Sequence, residues 1–400
     1  FREHDRDDDG LLSRNELPLA FAIFAFNRFD HDDDQMLPPD EVFDAPAEPE
    51  APDDQVRLQR LGDVVATGNV AGHVAVPVCD GERTLRTAPF ARRAGTLPDA
   101  AEGGALVVDT GGLLARHGVA QIAAREVPDA RAEVAARLGY RALGLGEADL
   151  GDPRELLLAR ARALARRGIP MLATNLVCTE RGRALCEALT TGRDGVALTR
   201  LGKKRAALLS FLDDGVMARI GPDRRAGLRL DPLVPAMRQA VGAARSRDDV
   251  DLVIAIVGAG SGPGATSRVF EAITELELNE RPDLVLAAGL GENFLFARPR
   301  LVRPAVVAPP PMGAARATIR QAEGASRCDV FADRLREGPV APAAAAFAAR
   351  LGRRYCAAYG DELAGGHLAP ERPMDPTAFA DLTAARLRDA TESDEAMLNL

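Results

Sequence analysis

The sequence predicts an α/β layered domain at the centre of the chain, and three observations predict it. Short apolar runs recur, each long enough for one buried strand: Ala105–Val108, Tyr140–Leu145 and Ile169–Ala173. Segments of helical character separate them, the pattern of parallel strands joined by crossover helices. Each run ends in glycine or a small polar residue: Asp109-Thr-Gly111-Gly112, Gly146-Glu147-Ala148-Asp149 and Thr174-Asn175. In such sheets the chemistry sits in loops just past the carboxyl ends of the strands.

Residues 1–45 come first and read differently. Asp5, Asp7, Asp9 and Ser13 supply side-chain oxygens at positions 1, 3, 5 and 9 of a twelve-residue calcium loop. Gly10 takes its turn, Leu11 offers a backbone carbonyl, and Glu16 closes it with a bidentate carboxylate. A twin loop offers Asp30, Asp32, Asp34, the Met36 carbonyl and Glu41. In the twin, Gln35 replaces the turn glycine and Pro38 brings no side-chain oxygen, so this loop is expected to bind more weakly. Leu12 and Leu37 occupy the apolar places where paired loops meet. One helix, Leu17–Phe29, leaves the first loop and enters the second. The segment resembles the EF-hand pairs of secreted bacterial proteins, which implies a small all-α unit with a structural or stabilising Ca2+. Residues 46–60 are acidic and rich in proline, the composition of a linker.

The layered domain is expected over residues 61–320. Asp63 to His73 reads as its first strand and loop. Arg131–Leu138 is helical and stops at Gly139. Asp152-Pro153 opens a helix, Asp152 as its cap, that closes at Gly168. Leu208–Phe211 and Val216–Ile220 suggest a hairpin around Asp213-Asp-Gly215. Asp231-Pro232 opens another helix. Strands follow at Asp251–Val257 and Asp283–Ala288, and a last one at Val302–Ala308. Beyond it, residues 335–400 read as the truncated start of a further α/β domain, with helices from Ala343 to Gly360 and from Asp375-Pro376 to about Arg388.

Composition narrows the function. The net charge is −9, with the acid concentrated before Asp54. That argues against a nucleic-acid-binding protein, which needs a basic face, and favours cation binding at the front. No apolar run reaches the ~18 residues of a membrane span. The chain opens on Phe1 inside a motif and stops on Met397-Leu-Asn-Leu400, so it reads as a piece of a longer protein. The five cysteines show no CxxC spacing, which argues against zinc and redox motifs; an odd number cannot all pair, and buried free thiols are expected. His73, His117 and His367 are too scattered for a site. Arg160 to Arg167 reads as a solvated basic helix face.

The order and spacing of the central motifs resemble the metallophosphoesterase domain of the periplasmic 5′-nucleotidases. That family reads T-N-D-L-H-G-H where this chain has Thr67-Gly-Asn69-Val-Ala71-Gly72-His73, and D-A-G-D where Asp109-Thr-Gly111-Gly112 stands. Its L-G-Y-D-A-V-T-L-G-N-H-E is matched by Leu138 to Asp149, and its F-P-V-L-S-A-N by Ile169 to Asn175. Its S-H-x-G and G-G-H-x-H align with Val257 to Gly260 and Ala287 to Gly291. The resemblance implies a four-layer αββα domain, and a 5′-nucleotidase C-terminal domain begun in residues 335–400. It implies a periplasmic or secreted location.

The departures decide the expected function. The family holds two metal ions with two Asp, an Asn and several His. At those places this chain has Asn69, Ala71, Gly112, Glu147, Gly258, Gly289 and Gly291, and Ala148 replaces the His that steadies phosphate charge. Asp109 persists, as a framework residue. Glycine and alanine bring no side-chain donor, and two-metal phosphoryl transfer needs both ions. No divalent transition metal is therefore expected in the phosphoesterase site. The expected protein is a calcium-binding, non-catalytic relative that binds a small phosphorylated ligand or a protein partner. The alternative is an active nucleotide phosphomonoesterase whose metal site is rebuilt from Glu147, Asp149, Asn69 and His73. Gly258 to Ser267 follows a strand and precedes a helix, as a phosphate cradle does, but it lacks the lysine of a P-loop, and the other reading is glycines filling the place of lost ligands.

Overall fold

The computed structural model describes residues 11–13, 36–37, 58–68, 94–113, 128–192, 195–258, 265–288, 305–309, 313–322 and 328–335, with isolated helical positions between 342 and 349. In chain order the strands are β1 (Leu12–Ser13), β2 (Met36–Leu37), β3 (Leu58–Gly68), β4 (Leu106–Asp109), β5 (Tyr140–Gly144), β6 (Met171–Ala173), β7 (Leu176–Cys178) and β8 (Thr190–Thr191). They continue with β9 (Ala197–Leu201), β10 (Lys204–Leu212), β11 (Leu228–Leu230), β12 (Leu252–Gly258), β13 (Leu284–Ala288), β14 (Ala305–Val307), β15 (Gly313–Ala322) and β16 (Cys328–Arg334). The helices are α1 (Leu97–Glu102), α2 (Pro128–Arg137), α3 (Glu147–Gly151), α4 (Arg154–Ala165), α5 (Arg183–Ala188), α6 (Val216–Arg219), α7 (Pro222–Arg225), α8 (Leu233–Arg245) and α9 (Ala265–Thr274).

Two sheets form the centre. The larger runs β16-β15-β3-β4-β5-β6-β8, and the smaller β14-β13-β12-β10-β9. The strands from β3 to β8 in the larger sheet are parallel, as are β10, β12, β13 and β14 in the smaller. Strand alternation builds three apolar layers. Leu106, Val108 and Ala142 face Leu208, Ile254, Ile256 and Leu286 between the sheets. Val65, Val107 and Leu143 pack under α1, α2 and α4 through Leu97, Ala135 and Leu157. Phe211, Val253 and Val257 pack under α8 and α9 through Met237, Val241, Val269 and Ile273. The result is the expected αββα order. β12 shows why its sequence is unbroken by polar residues: alternate members of Leu252–Val257 fill opposite layers, so both faces are dry.

Several expectations are corrected. The hairpin around Asp213-Asp-Gly215 does not form. β10 lies inside the sheet with β9 and β12 on its two sides, so no returning strand can pair with it. Val216–Arg219 is the helix α6 instead, and the Val216 N–H bonds the Asp213 carbonyl. Val302–Ala308 is not the last strand: β15 and β16 follow, and β15 runs antiparallel to β3 inside the larger sheet. β3 itself begins at Leu58, within the stretch assigned to the linker.

Asp152 does not cap α4. It forms a buried ion pair with Arg160, which is 1% exposed rather than part of a solvated face. Cys178 and Cys186 are joined in a disulfide, so these two thiols are not free. At the front, β1 pairs antiparallel with β2 through Leu12 opposite Leu37, the register expected of two coupled loops. The ligand positions Asp5, Asp7, Asp9, Glu16, Asp30, Asp32, Asp34 and Glu41 lie outside the described residues, as does nearly all of 335–400.

Candidate functional site

The strand-end loops of both sheets meet at one edge of the interface. On the β3–β4 side, Thr67, one residue before the end of β3, and Asp109, the last of β4, are register partners. The Thr67 hydroxyl donates to Asp109 Oδ2, the Tyr140 hydroxyl lies 2.8 Å from Thr67 Oγ1, and the Gly111 N–H donates to Asp109 Oδ1 at 2.8 Å. Alternation puts Asp109 on the same face as Val107, beneath the helices and away from the second sheet. Burial pushes its carboxyl up to about 8, offset in part by the Thr67 and Gly111 hydrogen bonds. Burial likewise raises the Tyr140 hydroxyl. Asp109 is thus wholly buried and hydrogen-bonded to Thr67 and the Gly111 backbone.

The sign of its effect on stability follows. The folded chain keeps the Asp109 proton up to about pH 8, whereas the unfolded chain releases it near 3.8. The stabilisation is full below the unfolded value and is lost as pH rises through the folded one. Asp109→Asn, whose Oδ1 can accept the Gly111 N–H while its Nδ2 donates to a turned Thr67 hydroxyl, is expected to flatten the fall in melting temperature between pH 5 and pH 8. An unchanged slope in calorimetry across that range would remove Asp109 as its source.

The β5 loop is held to the β4 loop by Asp149. Its Oδ2 accepts the Gly112 N–H at 2.8 Å and the Gly146 N–H at 3.0 Å, while Oδ1 is buried without a hydrogen-bond partner. Burial raises its pKa, opposed by the charge of Arg160. Gly111, at φ 125°, brings its backbone against Gly146: a Cβ on Gly111 would sit 2.7 Å from the Gly146 Cα. Glu147 turns the other way. Its Oε2 accepts from Arg219 Nε at 3.0 Å, joining α3 after β5 to α6 after β10, so one ion pair ties the loops of the two sheets. Asp213, 1% exposed, ends the β10 side in a bidentate pair with Arg268 on α9. Asn175, after β6, donates from Nδ2 to the Leu212 and Asp231 carbonyls and accepts the Leu212 N–H.

Of the positions aligned with the family's metal ligands, Gly112, Glu147 and Gly258 are described, together with Ala148; Asn69, Ala71, Gly289 and Gly291 lie outside the described residues. Gly112, Ala148 and Gly258 bring no donor, and the Glu147 carboxylate is engaged by a guanidinium. Glu147 and Asp149 do not converge, one meeting Arg219 and the other the buried amides. Among the described residues no three His, Cys, Asp or Glu gather where a metal could be held. Among the described positions the donor set does not fit a two-metal centre. For the cradle over Gly258 to Ser267, its flanks are the expected strand and helix, β12 and α9, while residues 259–264 are outside the described set.

The polar residues that sequence reasoning missed are Asp149 as a loop clasp, the Asp213–Arg268 pair and the Asp152–Arg160 pair. A signal existed for the first: Asp149 stands three residues after Gly146, the spacing at which an acid reaches back to a helix's first free N–H.

No family model matches the sequence, and no curated protein matches it. Solved structures do. A 5′-nucleotidase precursor from Thermus thermophilus superposes with a TM-score of 0.53 at 14% identity, over 75% of this chain and 59% of that one. The calcineurin-like phosphoesterase YfkN of Bacillus subtilis gives 0.52 at 15% identity, over 73% of this chain and 97% of that one. The fold is that of the metallophosphoesterases. At such identities the likeness is one of fold alone. The sulfate thiohydrolase SoxB of Thermus thermophilus shares the metallophosphoesterase-type fold too, at 0.50 and 16% identity over 68% of this chain and 47% of that one. The chain spans 59% of the length of the Thermus 5′-nucleotidase precursor, while it covers nearly all of YfkN. Among the described residues no helix is long and apolar enough to cross a membrane.

Proposed function

We propose that this protein is a calcium-binding, non-catalytic member of the 5′-nucleotidase-like phosphoesterases, acting as a binding or scaffold protein. The observation that carries the reading is the state of Glu147. It is the one described ligand position with a donor side chain, and that donor is spent on Arg219 across the mouth of the site. The alternative reading needs Glu147 and Asp149 to share a metal, and the two carboxylates face different partners.

Calcium would be held by the side chains of Asp5, Asp7, Asp9, Ser13 and Glu16 with the Leu11 carbonyl, and more weakly by the second loop, Asp30, Asp32, Asp34, Met36 and Glu41. The pairing of Leu12 with Leu37 supports coupled loops. Work in the periplasm or outside the cell is supported by the Cys178–Cys186 disulfide, since such bonds persist in oxidising compartments. The partner would be a small phosphorylated ligand or a protein.

Elemental analysis after dialysis against mixed Ca, Mn, Zn and Fe tests the reading. Calcium alone is expected, reduced by Glu16→Gln, with no release of phosphate from nucleoside monophosphates. A transition metal at about one or two per chain, with hydrolysis abolished by Glu147→Ala, would replace it with the active phosphohydrolase.

A further inference from the structure

We infer that the loss of metal ligands at Gly112 and Gly258 is fixed in the backbone, so that a donor side chain would be strained at the first position and would have to displace a neighbouring loop at the second. The inference rests on the non-catalytic reading above and goes further, from what is absent to what can be restored.

Gly112 has φ 81°, in the left-handed region that a residue with a Cβ seldom adopts. It is held there from outside: its N–H donates to the buried Asp149 carboxylate, and the preceding Gly111 lies against Gly146. Gly258 is fixed differently. It ends β12 in register with Leu212 and Ala288, and its carbonyl accepts the Asp213 N–H at 3.1 Å, so it cannot swing away. A Cβ on it would stand 2.8 Å from the Leu145 carbonyl oxygen and 3.1 Å from Leu212 Cδ2. The first of these is backbone, which cannot step aside as a flexible side chain can. At Gly258 the neighbouring loop has closed over the volume that a ligand side chain would need, and at Gly112 the backbone conformation itself resists one. Ala148 is the contrast, half-buried in ordinary helical backbone near the start of α3, so a larger side chain there is expected to be accepted.

The test compares melting temperatures of the full chain with single substitutions. Gly112→Ala and Gly258→Ala are each expected to melt roughly 3 °C or more below the unsubstituted protein, and Ala148→His within about 1 °C of it. A second arm adds Gly112→Asp, Ala148→His and Gly258→His together and measures bound Mn2+ and Zn2+ after dialysis, expecting no gain. Either glycine variant melting within about 1 °C of the parent, or a triple variant that gains a transition metal, overturns the inference. If the triple variant does not fold, the single alanine variants decide. The failure of the wider reading is seen separately, as metal or phosphatase activity in the unsubstituted protein.

Discussion

Arg160→Ala is expected to destabilise the domain by roughly 3–5 kcal/mol, because it breaks a buried ion pair by removing one partner. Arg160 and Asp152 are 1% and 6% exposed and form an ion pair between the start and middle of one helical segment. Arg131 is also buried, and burial together with the nearby Arg160 charge lowers its pKa to about 10. The guanidinium of Arg160 further favours the charged form of Asp149, whose carboxylate clasps Gly112 and Gly146. Its removal therefore reaches the strand-end loops as well as α4. The double change Arg160→Met with Asp152→Leu removes both charges and is expected to recover most of the loss. Urea unfolding of the three proteins checks this; a loss under about 1 kcal/mol for Arg160→Ala would mean that the Arg160–Asp152 pair does not hold this segment together.

Asn175→Ala carries the second large effect. The side chain meets both the N–H and the carbonyl of Leu212, which is wholly buried, and also the Asp231 carbonyl. Each buried backbone group left unpaired costs ~1–3 kcal/mol, so a total of roughly 2–4 kcal/mol is expected. Asn175→Asp keeps the shape and replaces the donating amide by an oxygen that faces two carbonyls. It should be as destabilising as alanine at pH 7 and less so at pH 4, where the acid can donate. Equal stability of Asn175→Asp and the parent at pH 7 would show that the donor to Leu212 and Asp231 is dispensable.

These residues also show what was legible in the sequence. β4, β6, β12 and β13 could be read because a strand dry on both faces is an unbroken apolar run, and β5 because only the exposed Arg141 interrupts it. β15 escaped because its alternation is written in small residues and arginine: Ala315, Ala317 and Ile319 point into the sandwich, with Arg316, Thr318 and Arg320 between them. Arg160 was misread from its neighbours Arg162, Arg166 and Arg167, although it lies three residues after Leu157 and four before Leu164, on their buried face. The disulfide pairs cysteines 8 residues apart across a turn whose geometry the sequence does not specify. At the site, the resemblance marked the positions where side-chain donors are missing. It could not mark the backbone closure between Gly111 and Gly146, which depends on how two loops from different strands approach.

The placement of β15 governs the order in which the domain can be completed during synthesis. β3 has β4 on one side and β15 on the other, and Thr318 Oγ1 bonds Asp63 Oδ1 across 255 residues of chain. Every other neighbour in the parallel half of the larger sheet is available long before that partner leaves the ribosome. Until Gly313 to Ala322 arrives, the long strand from Leu58 presents a bare edge of N–H and carbonyl groups, the kind of surface on which nascent chains pair wrongly. A chain ending before Gly313 would keep that edge open permanently and should be recovered in aggregates, even though the helices and strands up to β14 are all encoded in it.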